Sequence, residues 1–161
     1  MTPRSSAGPP EQINPTSLAD YLDIMCKSVF QSGMSWKVIE AKWPSTREAL
    51  REFDPYAIAE MDEDDVDELT QDTRLIRNRR KIEATIGNAR RMIELDEEHK
   101  GFQNYLRAHG DFWATLNAVK KDFKFMGDMG TYLFLYVVGE DVIPHESMPS
   151  ARSSAKAASR R

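Results

Sequence analysis

Between Ser17 and Gly33 the apolar residues Leu18, Leu22, Met25, Cys26 and Val29 fall at i, i+4, i+7, i+8 and i+11. That spacing lines one face of a helix, with Ser17 placed to cap it. Ser35 can cap a second helix running to about Lys42, and Pro44 opens another short one through Leu50. Asp62 heads a helix carrying Val66 and Leu69. Ile82, Ile86, Ala89 and Ile93 mark the apolar face of a long helix over 78–98, and Gly101 ends that region. Phe102, Tyr105 and Leu106 form a short helix broken by Gly110. Asp111 then caps Phe112 to Lys121, with Phe112, Leu116 and Val119 turned inward. The apolar run Tyr132 to Val138 would read as a strand in isolation. No second strand pattern exists to pair with it, so a buried helix is expected, and the chain as a whole is all-α.

The segment 1–16 holds four prolines and no periodicity, which predicts a disordered leader. The Ser-, Ala- and Arg-rich stretch 148–161 predicts a disordered basic tail. A single helical domain over 17–147 lies between them, consistent with a 161-residue chain.

Charge adds a partition that the apolar pattern does not show. From Asp54 to Asp72 there are nine acids and no bases, whereas Arg74 to Arg91 holds seven bases and one acid, Glu83. A net charge of −4 therefore conceals a candidate basic face, against the plainer reading of a solvated, salt-bridged surface. No apolar run approaches the roughly 18 residues of a membrane span, and the first residues lack the apolar centre of a signal peptide. One cysteine, Cys26, excludes an internal disulfide and any zinc site needing two thiolates. No metal or other cofactor is expected, and the expected compartment is the cytoplasm.

Two motifs carry candidate chemistry. The first opens with Gln31-Ser32-Gly33-Met34-Ser35-Trp36 and closes with Leu75-Ile76-Arg77-Asn78-Arg79-Arg80-Lys81-Ile82, enclosing Phe53-Asp54-Pro55 and an acidic helix. The second is Phe123-Lys124-Phe125-Met126-Gly127-Asp128-Met129-Gly130. Together they resemble the DNA-3-methyladenine glycosylase I family of the helix-hairpin-helix DNA glycosylase superfamily, over roughly residues 17 to 147. The resemblance implies a helical domain acting in base-excision repair on double-stranded DNA with a damaged, alkylated purine such as 3-methyladenine. The expected species is a monomer, associated with the nucleoid when bound.

It also implies residue roles. Trp36 matches the family's pocket tryptophan, with Gln31, Ser35 and Ser28 around it; an ordinary core tryptophan is the alternative. Gly127 and Gly130 would let a hairpin approach phosphate, with Lys124, Met129 and Thr131 beside them. The stretch Met129 to Tyr132 lacks the lysine that cuts the backbone in some superfamily members, so a monofunctional enzyme is implied. The family's pocket glutamate, eight residues before the tryptophan, is replaced by Ser28, and the family's zinc ligands are absent. Many superfamily members carry a carboxylate seven residues beyond the glycine that ends the post-hairpin helix. Here that glycine is Gly139 and the residue is Glu146, the candidate catalytic carboxylate. Two alternatives stay open: a damaged-DNA-binding module without catalysis, and a helical protein-interaction domain using the acidic Asp54–Asp72 stretch.

Overall fold

A computed structural model describes residues 11–149. Among them the secondary structure is entirely helical: α1 (Leu18–Gln31), α2 (Trp36–Ala49), α3 (Pro55–Ala59), α4 (Glu63–Leu69), α5 (Arg79–His99), α6 (Phe102–Leu106), α7 (Phe112–Asp122) and α8 (Asp128–Val137). Short 3-10 turns occupy Arg51–Phe53 and His145–Ser147. No described helix is long and apolar enough to cross a membrane. The expectations for a leader and a basic tail fall mainly on 1–10 and 150–161, outside the described residues.

The apolar stripe of α1 is the hub. Leu22, Met25, Cys26, Val29 and Phe30 are fully buried, and α1 packs on α2, α5 and α8. Ser17 makes no side-chain cap. Asp20 instead reaches back, accepting from the Thr16 amide at 2.9 Å and the Thr16 hydroxyl at 3.2 Å.

The expected break at Pro44 does not occur; α2 runs unbroken from Trp36 to Ala49. A proline costs a helix its N–H bond and crowds the carbonyl four residues back, so something must hold both sides. Trp43 does so on one side: its indole donates to Asp23 at 2.8 Å and its ring stacks on Phe53 at 5.2 Å. On the other, the Ser45 hydroxyl donates to the Arg74 carbonyl at 2.6 Å and the Thr46 hydroxyl to the Lys42 carbonyl at 2.8 Å. Tertiary contacts thus override a local stop signal. The following turn carries positive φ at Arg51, Glu52 and Phe53 (54°, 56°, 58°), a conformation that non-glycine residues rarely adopt. Complete burial of Phe53 under Trp43 offsets that strain.

Helix starts follow the predicted caps elsewhere. Asp62 and Asp65 form a reciprocal capping box, both bonds at 3.0 Å. Asn78 caps α5 through Lys81 N–H at 3.1 Å, and Asp111 caps α7 through Ala114 N–H at 2.8 Å. On α5 the buried face is Ile82, Ile86, Ala89, Met92 and Leu95. Ile93, expected on that face, is only half-buried; the stripe drifts by one position over the long helix, as a period of about 3.6 requires.

The run from Tyr132 is the helix α8, buried on more than one side. Thr131, Phe134, Leu135 and Val138 enter the main core, while Tyr132 joins Leu116 and Met148 in a satellite cluster. Two-sided burial erases the amphipathic period, which is why the segment looks like a strand in sequence. Met148 is buried, so the packed unit extends past residue 147. At the other end, Ile13 N–H donates to the Val137 carbonyl at 2.8 Å and the Gln12 amide to the Tyr136 carbonyl at 2.9 Å.

The α7–α8 connection is held from α5. The buried Asn88 amide donates to the Lys124 carbonyl at 3.1 Å and accepts from Lys124 N–H at 2.8 Å. Replacing Asn88 with Ala leaves both backbone groups without this partner. We expect a loss of about 1–3 kcal/mol, read as a lower urea midpoint; an unchanged midpoint would show that the clasp does not stabilise the fold.

Candidate nucleic-acid interface

The C-terminus of α1 is tied to the start of α5 through Lys81 and to the start of α8 through Ser28, and the loop to α2 follows from it. The Ser28 hydroxyl donates to the Gly130 carbonyl at 3.3 Å. A Cβ on Gly130 would stand 3.7 Å from the Ser28 Cβ, so this glycine brings α8 close against α1. The loop 32–35 is shaped from within. The Gln31 amide donates to the Met34 carbonyl at 2.9 Å, Gly33 takes φ +80°, and the Ser35 hydroxyl caps α2 through Val38 N–H at 3.2 Å. Gln31 and Ser35, expected in the pocket, thus have clear structural work in forming the loop. Trp36 follows at the first position of α2 and is 37% exposed. That excludes the core alternative for this tryptophan; Trp43, at 5% exposure, is the core one.

Lys81 was not singled out from the sequence, yet it holds this loop. The residue is 5% exposed, and its ammonium donates to the carbonyls of Phe30 at 2.9 Å and Ser32 at 2.6 Å. It forms no ion pair among the described residues. These carbonyls lie where α1 ends, and a helix C-terminus favours a cation. The signal that could have found it is a polar stripe beside the apolar one: Lys81, Thr85 and Asn88 recur at i, i+4 and i+7, and all three are buried.

The hairpin differs from expectation in its details. Gly127 is the N-cap of α8 with φ −84°, and Gly130 lies inside the helix, so neither occupies the left-handed region. The turn is made by Phe125 at φ +60°. No side chain caps α8, which leaves its first amides without a side-chain partner. Asp128 sits in that first turn and pairs with Lys120. Thr131 is fully buried and its hydroxyl has no hydrogen-bond partner, so the expected DNA contact is unavailable to its side chain: the fourth residue of α8 points into the core. Met129 is half-buried against the Leu116, Tyr132 and Met148 cluster. Lys124 is exposed.

Among the described residues no hydrogen bond or ion pair ties Glu146 to Ser28, Gly130 or Trp36. A step of two residues turns a helix by about 200°, so Tyr132 faces away from Gly130. The Tyr132 hydroxyl donates to the Ile143 carbonyl at 2.9 Å and its ring lies 5.8 Å from His145. Glu146, exposed in the same 3-10 turn, therefore stands on the α7 side. Burial first, then the Glu146 carboxylate, raises the Tyr132 hydroxyl above its usual range. No group of three or more potential metal ligands occurs among the described residues.

The charges sort themselves by pairing. Arg79 is occupied by Asp67 at 2.8 Å, Glu63 at 3.1 Å and Glu83 at 3.2 Å, and Arg51 pairs with Asp65 at 3.6 Å. The acidic tract thus draws on its own basic neighbours. Lys37, Arg77, Arg80 and Lys124 make no ion pair among the described residues. Lys37 lies in the first turn of α2, Arg77 and Arg80 at the start of α5, and Lys124 in the turn before α8.

The sequence model of the methyladenine glycosylase family matches residues 16–122, and the chain belongs to that family. DNA-3-methyladenine glycosylase 1 of Escherichia coli (strain K12) is 36% identical over 84 residues, 52% of this chain and 45% of that protein. The match therefore spans less than half of that relative. DNA-3-methyladenine glycosylase of Haemophilus influenzae (strain ATCC 51907 / DSM 11121 / KW20 / Rd) is 28% identical over 136 residues, 71% of this chain and 74% of that protein. A crystal structure of 3-methyladenine DNA glycosylase I superposes with a TM-score of 0.70 at 29% identity, covering 79% of this chain and 81% of that one.

Lys81 yields a pH prediction. Burial lowers its proton affinity below the ordinary value of 10.5. In the window between the folded value and 10.5 the unfolded chain binds more protons, so this group makes stability rise with pH there. The urea stability of the wild type relative to Lys81→Met should shift in the wild type's favour between neutral pH and about pH 10. A difference independent of pH would mean that burial does not perturb Lys81.

Proposed function

We propose that this chain is a monofunctional DNA glycosylase that removes an alkylated purine such as 3-methyladenine from double-stranded DNA. It acts as a cytoplasmic monomer, at the nucleoid when bound to DNA. The observation that supports this reading is Trp36, an exposed tryptophan at the position of the family's pocket tryptophan. An extruded base needs an aromatic face and the backbone needs cations; Trp36 offers the first, and Lys37, Arg77, Arg80 and Lys124 the second.

The chemistry suits such a substrate. A base alkylated at N3 carries a positive charge, so when the C1′–N9 bond breaks its electron pair neutralises the leaving base. Water then adds to C1′ and gives up a proton, leaving an abasic site. Positive charge develops on the sugar, and a fixed carboxylate would lower that barrier. Ser28 cannot supply one. We assign the role to Glu146 on its spacing from Gly139. The serine at position 28 favours a second reading: the chain binds the damaged duplex and performs no chemistry.

Mass spectrometry of bases released from a methylated duplex tests both. The wild type should release 3-methyladenine. Trp36→Ala should lose about tenfold or more in damaged-DNA affinity, as for loss of a stacking contact, with little change in melting temperature. Glu146→Gln should lower release by about 10²–10³ while duplex affinity is equal or higher. Full activity in that variant would move the chemistry to the leaving group's own charge. Binding without release in the wild type would establish the second reading.

A further inference from the structure

Lys81 stands where stability alone would not put a lysine. It lies in the first turn of α5, and its backbone N–H donates to the capping Asn78 side chain at 3.1 Å. A helix start carries partial positive charge, so the macrodipole disfavours a cation there. The residue is also 5% exposed and pairs with no carboxylate among the described residues. A buried charge without a partner is costly. An apolar side chain of similar length, beside the fully buried Ile82, would avoid both penalties.

What the ammonium does is fix the loop between α1 and α2. The carbonyls of Phe30 and Ser32 accept from it at 2.9 and 2.6 Å. Between them the Gln31 carbonyl accepts the Met34 N–H at 2.6 Å. The Met34 carbonyl accepts from the Gln31 side chain at 2.9 Å, and the Ser35 carbonyl from the Ile39 N–H at 3.2 Å. The carbonyls of Phe30, Gln31, Ser32, Met34 and Ser35 are thus all bonded within the chain. Trp36 follows at once, at the first position of α2 and 37% exposed, so this loop sets where its ring emerges. A loop already held by its own bonds needs little further ordering when a ligand arrives, which favours binding.

We propose that Lys81 is a positioning residue for the damaged base: its ammonium pre-forms the 32–35 loop and thereby holds Trp36 ready to stack on an extruded base. The inference rests on the reading of Trp36 as the base-stacking residue, but not on base release. The plainer alternative is a lysine that only stabilises the α1–α5 contact. The two differ in whether its effect passes through Trp36.

A double-mutant cycle of Lys81→Met with Trp36→Ala separates them. Binding would be followed by fluorescence anisotropy on an undamaged duplex and on one carrying 3-deaza-3-methyladenine, an isostere whose bond to the sugar is stable. Trp36→Ala should lower affinity for the lesion duplex by about tenfold or more. Lys81→Met should lower it by about two- to tenfold, as for side chains that must now be ordered on binding, and leave the undamaged duplex nearly unaffected. In the Trp36→Ala background the same change should have no effect. Labelling with 5-fluorotryptophan gives a ¹⁹F resonance for each of the three tryptophans. Lys81→Met should move or broaden that of Trp36 and leave that of Trp113, on α7, in place. Equal losses on both duplexes, equal losses with and without Trp36, or an unmoved Trp36 resonance would overturn the proposal. If Lys81→Met does not fold, Lys81→Gln, which keeps an amide donor without the charge, enters the same cycle with a smaller loss expected. Unchanged lesion affinity in Trp36→Ala would refute the stacking reading of Trp36 and this proposal with it. A loss in Trp36→Ala with none in Lys81→Met would refute the role of Lys81 alone.

Discussion

The arrangement of the candidate interface depends on one buried cation. Lys81 places an ammonium against the carbonyls of Phe30 and Ser32, at 2.9 and 2.6 Å, with no carboxylate to share it among the described residues. Burying an ion without a counter-ion is costly, and a sequence tolerates it where the carbonyls of a helix end supply compensating dipoles. The cost fixes geometry. With α1 ended at that point, the chain must turn through Gly33 and restart at Ser35, and Trp36 emerges from the first turn of α2 with its ring in solvent. The same helix start, at Asn78, also sets the position of Arg80 and hence of the cation over Phe125.

Charge segregation follows from this frame. The acidic stretch beginning at Asp54 looks in sequence like a face for a basic partner. In the fold much of it is satisfied locally: Arg79 takes Glu63 and Asp67, Arg51 takes Asp65, Arg74 takes Asp72. Exposed pairs of this kind contribute little stability each. Their larger effect here is to take up these acids, and Lys37, Arg77, Arg80 and Lys124 are among the cations that make no ion pair among the described residues. A chain with an acidic total can therefore offer a basic surface, and the net charge of −4 says little about its partner.

Most of the helices were legible because their signals are local. Asp62 and Asp111 act as caps where the pattern placed them, and the Leu22-to-Val29 stripe is buried as its spacing demands. What could not be read depends on contacts distant in sequence. Pro44 looks like a helix start until Trp43 is seen bonded to Asp23 and stacked on Phe53. Gly130 looks like a turn glycine, but its use is the close contact with Ser28, 102 residues away. Phe125 lies in the hairpin motif in sequence, and only the fold reveals its left-handed turn, next to the Lys124 backbone that Asn88 holds. At the site, the position of Trp36 was legible from the motif around it. Glu146 was proposed by counting from Gly139, and counting along a chain does not say on which side of α8 the chain returns.

The exchange at position 28 ties packing to chemistry. A glutamate, which the family resemblance places there, would set a charge at a point that is 5% exposed and would need donors to compensate it. Serine needs one acceptor, and the Gly130 carbonyl at 3.3 Å provides it. The α1–α8 contact is thereby made by a neutral hydrogen bond, and the nearby buried charge is the positive one on Lys81. Such a site offers a cationic base an aromatic face at Trp36 but no anion of its own. On the proposed reading, acceleration would come from the charge already on the leaving base or from a carboxylate carried in from the turn after Gly139. These two sources differ in where they act, one on the substrate and the other on the protein, and the identity of a single buried residue at position 28 decides whether a third, inside the α1–α8 contact, exists at all.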